Sequence, residues 1–362
     1  MVRDELAMMR VMIATDAWHP QVNGVVRTLT SLAASVRKLG ATIDFLNPEG
    51  FYSLQVPTYP GLRFALPGRR EIARRIEELR PNAIHIATEG PIGWLVRAYC
   101  LKHGLRFTTS FTTRFPEYIS ARVPIPSSWG YGVLQRFHAA AAVTMVSTPS
   151  LMAELTRRGF GNLGMWTRGV DTDMFTLERA IDLDFPRPVF MTVGRIAPEK
   201  NLEAFLSLDL PGSKVVIGHG PQERELRRRF PGAKFLGLLE GRVLAAHMAA
   251  ADVFVFPSLT DTFGVVQLEA LACGVPVAAF PVTGPKDVIG HHPVGALHED
   301  LRTACMAALH IPRQACRAFA LARSWDTSAR QFMDHVREAI RTSPAAQGAW
   351  AADGMALGPE PG

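Results

Sequence analysis

Residues 258–277, SLTDTFGVVQLEALACGVPV, carry two carboxylates, Asp261 and Glu269, eight positions apart around a Phe263-Gly264 pair. An apolar run over 252–256 precedes them and reads as a strand. The order is therefore strand, short polar turn, then a helix opening near Phe263. Asp261 falls before that helix and Glu269 inside it. Two carboxylates so placed can accept hydrogen bonds from vicinal hydroxyls, one on each of two sugar rings. The first backbone N–H groups of the helix, at Thr262, Phe263 and Gly264, can hold an anion such as a sugar phosphate. Gly264 has no Cβ, so a ligand can come close to the backbone there. The plainer alternative makes Asp261 only a helix cap and Glu269 only a surface charge.

A second cluster is VGRIAPEKN, residues 193–201. Gly194 ends an apolar strand, and Arg195 and Lys200 stand five residues apart across a turn that contains Pro198. Two fixed cations at a strand end can bind a diphosphate and neutralise the charge that builds on it as it leaves. In that role they take the place of a metal ion. The plainer alternative is a basic turn that caps a helix beginning at Glu199.

Alternating elements must position these clusters. Strand-like runs at 11–15, 42–46, 83–87, 106–110 and 143–147 are separated by helical stretches. The clearest of these places Val25, Val26, Leu29, Leu32, Ala33, Val36 and Leu39 at helical spacing, with Gly40 at its end. A polar, proline-containing stretch follows, and the pattern restarts with strands at 189–193, 214–217, 233–236, 253–256 and 275–280. Such alternation predicts an α/β chain of parallel sheets covered on both faces, with ligands at the carboxyl ends of the strands. The division is an N-terminal unit over 9–176, a linker over 177–187 and a C-terminal unit over 188–322. A helix over 323–341 returns toward the N-terminal unit, and the Gly/Ala/Pro-rich tail 342–362 reads as disordered.

The chain has 362 residues, 48% hydrophobic and 20% charged, enough apolar material for two cores. Its four cysteines are scattered without metal-ligand spacing, which argues for a reducing compartment and against a disulfide framework. No signal peptide or membrane-length apolar run is evident. The expected location is the cytoplasm, with attachment to the inner face of the membrane as an option. A formal charge of +6 suits phosphorylated ligands, acidic lipid or nucleic acid, and no nucleic-acid motif accompanies it.

Arg195 and Lys200, with Asp261 and Glu269 flanking Phe263-Gly264, resemble the signature of the family-4 retaining glycosyltransferases of the GT-B fold. Other segments agree in order: Pro20-Gln21-Val22-Asn23-Gly24-Val25 after the first strand, 110–118, Gly169-Val170-Asp171 with Phe175, and Gly218-His219-Gly220-Pro221. The likeness spans about residues 10–340 and is strongest to bacterial enzymes that glycosylate lipids. It implies two Rossmann-like doubly wound parallel-sheet domains facing across a cleft. It also implies transfer of a hexose, with retention, from a UDP- or GDP-linked sugar to a hydroxyl. The nucleotide-sugar is a co-substrate, and neither a cofactor nor a metal is expected.

The roles carried over are specific. Gly24 would approach the donor phosphate or sugar, and Arg195 and Lys200 would hold the diphosphate. Asp261 would contact sugar hydroxyls, helped by the amides of Phe263 and Gly264. Glu269 would bind the ribose, and Gly218, Gly220 and Pro221 would lie near the base. Two positions depart from the family pattern: Asp261 stands where Glu is usual, and Thr112 where a His is common. Thr112 cannot take up a proton as imidazole does, so acid–base chemistry does not transfer to it. His19 and His85 read as structural. Thr112, Arg114 and Tyr118 would border the acceptor opening.

A lipid acceptor or an anionic membrane surface could also meet the basic helix bearing Arg69, Arg70, Arg74, Arg75 and Arg80 with Ile72, Ile76 and Leu79. The stretch with Trp94, Arg97, Tyr99 and Lys102 offers a second such surface. The plainer reading packs both helices on their own sheet. Two other functions fit the same architecture: a sugar-nucleotide epimerase and a non-catalytic nucleotide-sugar-binding protein.

Overall fold

A computed structural model describes residues 9–19, 24–55, 63–114, 116 and 127–341. Tyr118, the segment 20–23 and the tail 342–362 lie outside the described residues.

The first half alternates as the apolar runs require. It comprises β1 (Arg10–Ala14), α1 (Gly24–Lys38), β2 (Thr42–Leu46), a short antiparallel pair β3 (Ser53–Gln55) and β4 (Arg63–Ala65), α2 (Arg69–Leu79), β5 (Ala83–Ile86), α3 (Pro91–Lys102), β6 (Phe107–Ser110), α4 (Ser127–His138), β7 (Val143–Val146), α5 (Pro149–Arg157) and β8 (Leu163–Met165). Six of these strands form one parallel sheet in the order β2-β1-β5-β6-β7-β8.

The second half repeats the plan. It runs β9 (Val189–Val193), a 3₁₀ turn (Pro198–Lys200), α6 (Leu202–Leu206), β10 (Ser213–Ile217), α7 (Glu223–Arg229), β11 (Lys234–Gly237), α8 (Gly241–Ala249), β12 (Val253–Phe256), α9 (Val265–Ala272), β13 (Val277–Ala279), α10 (Pro285–Val288), β14 (Gly295–Leu297), α11 (Leu301–Ala308) and α12 (Arg313–Leu321). Its sheet is parallel in the order β11-β10-β9-β12-β13-β14. The last helix, α13 (Trp325–Arg341), belongs by packing to the first sheet.

Each strand of a doubly covered parallel sheet must be apolar on both sides. In β1, Val11 and Ile13 meet Leu29, Leu32 and Val36 of α1 and Phe332, Met333 and Val336 of α13. On the other face Met12 and Ala14 meet Ile72 and Ile76 of α2 and Ile92 and Val96 of α3. Phe332 is fully buried, so Phe332→Ala would cost about 3–5 kcal/mol. The return of α13 is locked by Val170 N–H donating to Arg323 O at 3.0 Å, and a Cβ at Gly169 would lie 2.3 Å from Trp325 N.

Strand order reverses between β1 and β5 in one sheet and between β9 and β12 in the other. Ligands bind at such reversal points, beyond the carboxyl ends of the strands. The turns after β9 and β12 carry the two motifs described above, and those after β1 and β6 face them across the cleft. Two short edge strands, β8 and β14, and the β3–β4 pair are additional to the expected ones. The two edge strands are three residues long and include glycine, too short for a periodic signal. All four cysteines are buried, their thiols pushed up to about 12 mainly by that burial, which removes them as nucleophiles near neutral pH.

Candidate functional site

The turn after β9 is tied to the turn after β10 by backbone bonds. Gly194 N–H donates to Ile217 O at 3.0 Å and Ile196 N–H to His219 O at 2.9 Å. The turns lie so close that a Cβ at Gly218, whose φ is +138°, would fall 1.9 Å from Gly194 O. Glycine is therefore required at that position. A Cβ at Gly220 would fall 2.2 Å from Ile196 O, whereas one at Gly194 would meet nothing within 4 Å. Gly194, Arg195, Gly218, Gly220 and Pro221 thus share one rim of the second sheet.

The turn bearing Lys200 is pinned to the turn after β12. Asn201 Nδ2 donates to Pro257 O at 3.1 Å, and Ser258 Oγ to Glu199 O at 3.1 Å. This brings Lys200 Nζ to 2.7 Å from both oxygens of Asp261, with the lysine side chain 27% and the carboxylate 17% exposed. The pair is half-sheltered, so its charges are screened less than a surface pair would be. Pro198–Lys200 forms a 3₁₀ turn and α6 begins at Leu202, so the plainer alternative of a helix beginning at Glu199 does not hold.

Asp261 is not a helix cap. That position belongs to Gly264, which opens α9 with φ +76°, one residue later than the expected start. A Cβ there would lie 2.6 Å from Phe256 Cζ and 2.8 Å from Gln267 Nε2. Phe263 is partly buried against the core of the second sheet. Thr262 bridges to the first domain: its Oγ1 donates to Thr112 O at 3.0 Å, and its carbonyl accepts from Ser147 Oγ at 3.4 Å. Thr112 therefore contributes its carbonyl, while its own hydroxyl sits 3.5 Å from Ala87 O.

Nor is Glu269 a surface charge. It is 5% exposed, and its Oε2 accepts from Arg27 Nη1 at 3.3 Å, across the cleft from α1. Burial pushes its carboxyl above the usual range, and Arg27 opposes that shift. Sequence reading missed Arg27, although it lies one turn after Gly24, the exposed first residue of α1. A second charge crosses nearby: Asp287 Oδ1 accepts from Ser150 N–H, in the first turn of α5, at 2.8 Å. Together these contacts hold the two domains closed on one another.

The remaining expected residues divide. Arg114 is paired on its own domain: its Nη2 is 2.7 Å from Glu154 Oε2 on α5, both side chains largely buried. His85 is buried between Thr108 Oγ1 at 2.9 Å and Ser110 Oγ at 3.2 Å. Burial drives it down to about 3, so it is neutral, and it is structural as expected. His19 is exposed beside Trp18. On α2, Ile72 and Ile76 face the core, while Arg74 and Arg75 pair with Glu71. That helix therefore has no apolar face left for a membrane. Arg97 likewise turns inward, to Phe137 O at 2.9 Å. Asp16, after β1, holds the first turn of α3, accepting from Ile92 N–H at 2.8 Å and Thr88 Oγ1 at 2.9 Å. Burial raises its carboxyl.

What converges is a cleft rim with glycine-lined backbone, a half-sheltered cation–carboxylate pair and a buried carboxylate held by a cation from the facing domain. Such a rim can take a diphosphate at its cations and sugar hydroxyls at its carboxylates. Two family models match the chain, "Glycosyltransferase Family 4" over residues 22–174 and "Glycosyl transferases group 1" over residues 187–311. A GDP-mannose-dependent alpha-mannosyltransferase of Mycobacterium tuberculosis is 28% identical over 92% of this chain and 97% of its own length. A sulfoquinovosyl transferase of Arabidopsis thaliana is 31% identical over 67% of this chain and 52% of its own. The alpha-monoglucosyldiacylglycerol synthase of Streptococcus pneumoniae is 24% identical over 83% and 78%. Among solved structures, sucrose-phosphate synthase from Thermosynechococcus elongatus superposes with a TM-score of 0.76 at 18% identity, covering 92% of this chain and all of that one.

Proposed function

Because the chain belongs to glycosyltransferase family 4, has the GT-B fold and uses a nucleotide-sugar, we propose that it transfers a hexose with retention to a hydroxyl of a membrane lipid, diacylglycerol or a glycolipid. The observation that carries the reading is the placement of Lys200 on Asp261 at 2.7 Å, beside the turn of Arg195 and on the same segment as the buried Glu269.

In this reading the donor diphosphate draws Lys200 and Arg195 onto its oxygens, and Asp261 exchanges its cation for hydroxyls of the sugar. Glu269 accepts from the ribose. The acceptor oxygen attacks the anomeric carbon on the face from which the diphosphate departs. The C–O bond to phosphate breaks as the new one forms, and the acceptor proton passes to the leaving phosphate oxygen. Catalysis then rests on positioning and on charge stabilisation of the leaving group, without a protein nucleophile or a metal.

The kinship to a GDP-mannose-dependent enzyme over nearly its whole length makes GDP-mannose the first donor to test, ahead of UDP-hexoses. The diacylglycerol named in the pneumococcal relative supports a lipid acceptor. So does an exposed apolar pair on α4, Trp129 at 75% and Val133 at 54%, one helical turn apart with Arg136 on the same helix. No helix among the described residues is long and apolar enough to cross a membrane. Family membership favours transfer over epimerisation or simple binding.

The test is incubation with GDP-mannose, UDP-glucose and UDP-glucuronate, each with a lipid extract, followed by anomeric NMR of the product. A glycolipid with the donor's own anomeric configuration is expected. An isomerised donor, an inverted product or no transfer from any donor overturns the reading.

A further inference from the structure

The positive charge of the chain is gathered in one stretch. Residues 91–168 hold nine arginines and lysines against two carboxylates, Glu117 and Glu154, while the thirty basic and thirty-one acidic residues elsewhere nearly cancel. Glu117 lies outside the described residues, and Glu154 is largely buried between Arg114 and Arg158. Among the described residues, α3, α4 and α5 therefore show no exposed carboxylate.

On α4, Tyr131, Leu134 and Phe137 pack into the cores of the first domain. Trp129 and Val133, 75% and 54% exposed, and Arg136, also exposed, line the opposite side at four- and three-residue spacing. Two neighbours widen that side. From α3, Arg97 reaches the last turn of α4, its Nη2 donating to Arg136 O at 2.9 Å. One turn further along α3, Leu101 is 51% exposed and is followed by exposed Lys102. At the end of α5, Arg158 lies over the Tyr131 ring at 3.7 Å, and Gly159 O accepts from Gln135 Nε2 at 2.8 Å, with exposed Arg157 alongside. The first turn of α4 lies at the cleft: a Cβ at Gly130 would fall 2.9 Å from Pro116 Cβ, four residues after the Thr112 carbonyl that holds Thr262.

Single exposed apolar side chains are ordinary, but three on one surface with three cations and no acid make the composition of a membrane-surface helix. Indole rings settle at the headgroup level, and Lys and Arg are drawn to anionic leaflets. A nucleic acid would also meet the cations but gives Val133 and Leu101 nothing to contact. Helix α2 is the contrast, since its Arg74 and Arg75 pair with glutamates and its isoleucines are buried.

We propose that the face formed by α4 and the ends of α3 and α5 docks on an anionic bilayer, with Trp129 and Val133 in the headgroup layer and Arg136, Lys102 and Arg157 on lipid phosphates. Docking there sets the cleft mouth against the membrane, within reach of a lipid acceptor, and for that acceptor alone it rests on the reading above.

The test is co-sedimentation of the full chain, without donor, with vesicles of phosphatidylcholine and of phosphatidylcholine mixed with phosphatidylglycerol. Binding to the mixed vesicles is expected, weakening as salt rises. Trp129→Ser combined with Val133→Ser should lower it about tenfold or more, the scale of withdrawing two apolar side chains from contact. Arg136→Glu should lower it comparably, and Arg70→Glu, at an exposed position on α2, should leave it unchanged. All these positions are on the surface, so the fold should survive the changes. No binding to mixed vesicles at low salt overturns the proposal, as does binding that is indifferent to the Trp129 and Val133 changes or is lost with Arg70 instead. Oligonucleotide binding abolished by Arg136→Glu, with vesicle binding indifferent to the apolar pair, assigns the cations to nucleic acid and overturns it too. With no donor present, the outcome stands apart from the transferase reading: vesicle binding without transfer from any nucleotide-sugar would sink that reading and keep this one.

Discussion

Lys200→Ala separates two roles that one distance leaves mixed. Lys200 Nζ sits 2.7 Å from both oxygens of Asp261, with the side chains 27% and 17% exposed. Exposed pairs are worth about 0–1 kcal/mol, and breaking a buried one costs about 3–5. This half-sheltered pair should fall between, near 1–2 kcal/mol, lowering Tm by roughly 2–8 °C. If Lys200 served only to hold Asp261, kcat in Lys200→Ala, in Asp261→Asn and in the double variant would be alike. If it stabilises the leaving diphosphate, Lys200→Ala loses a preorganised charge contact worth about 2.7–4 kcal/mol, or 10²–10³-fold in kcat. Asp261→Asn would keep the cation and lose mainly hydroxyl contacts. The assay is steady-state kinetics on all three variants, with thermal unfolding as the control and nucleoside diphosphate affinity as a second readout. Product affinity should drop with Lys200 and hold with Asp261→Asn. A folded Lys200→Ala variant with kcat within about threefold of the parent, far short of the loss expected for one such contact, would refute the reasoning.

Arg27→Met removes the cation on buried Glu269, a charge-assisted bond worth about 1.5–3 kcal/mol, so donor KM should rise about tenfold or more with kcat little changed. The carboxyl, already raised by burial, rises further in this variant, so its donor KM should climb more steeply than the parent's as pH falls; parallel profiles would argue against the pairing. Gly218→Ala forces a Cβ to 1.9 Å from Gly194 O and should cost more than about 2 kcal/mol in urea unfolding, together with donor binding. His85 is held neutral at about 3, whereas the unfolded chain protonates it below roughly 6.5. Its contribution is present above that pH and fades as pH falls toward 3, by at most about 1.4 kcal/mol per pH unit. His85→Gln should flatten the acid side of the urea-midpoint profile by about one proton.

The legible parts of this chain are those that depend on neighbours in sequence. Strands over 42–46, 189–193 and 253–256 coincide with β2, β9 and β12, and the helix expected over 323–341 is α13 begun two residues later, because an apolar run or a 3.6-residue stripe records its own burial. The charges obey a different logic. Arg114 and Arg27 look equally available in sequence, yet Arg114 is consumed by Glu154, 40 residues on, and Arg27 by Glu269, 242 residues on. No period signals either partner. Thr112, read as bordering the acceptor opening where a histidine is common, has a side chain that makes only a long contact, to Ala87 O. Its carbonyl, which any residue would supply, holds Thr262. A motif can therefore name the rim of one domain, but the groups that decide how tightly the rim grips come from the facing domain. Substitutions on α1 and after β6 should accordingly alter donor affinity as much as changes within the motifs themselves.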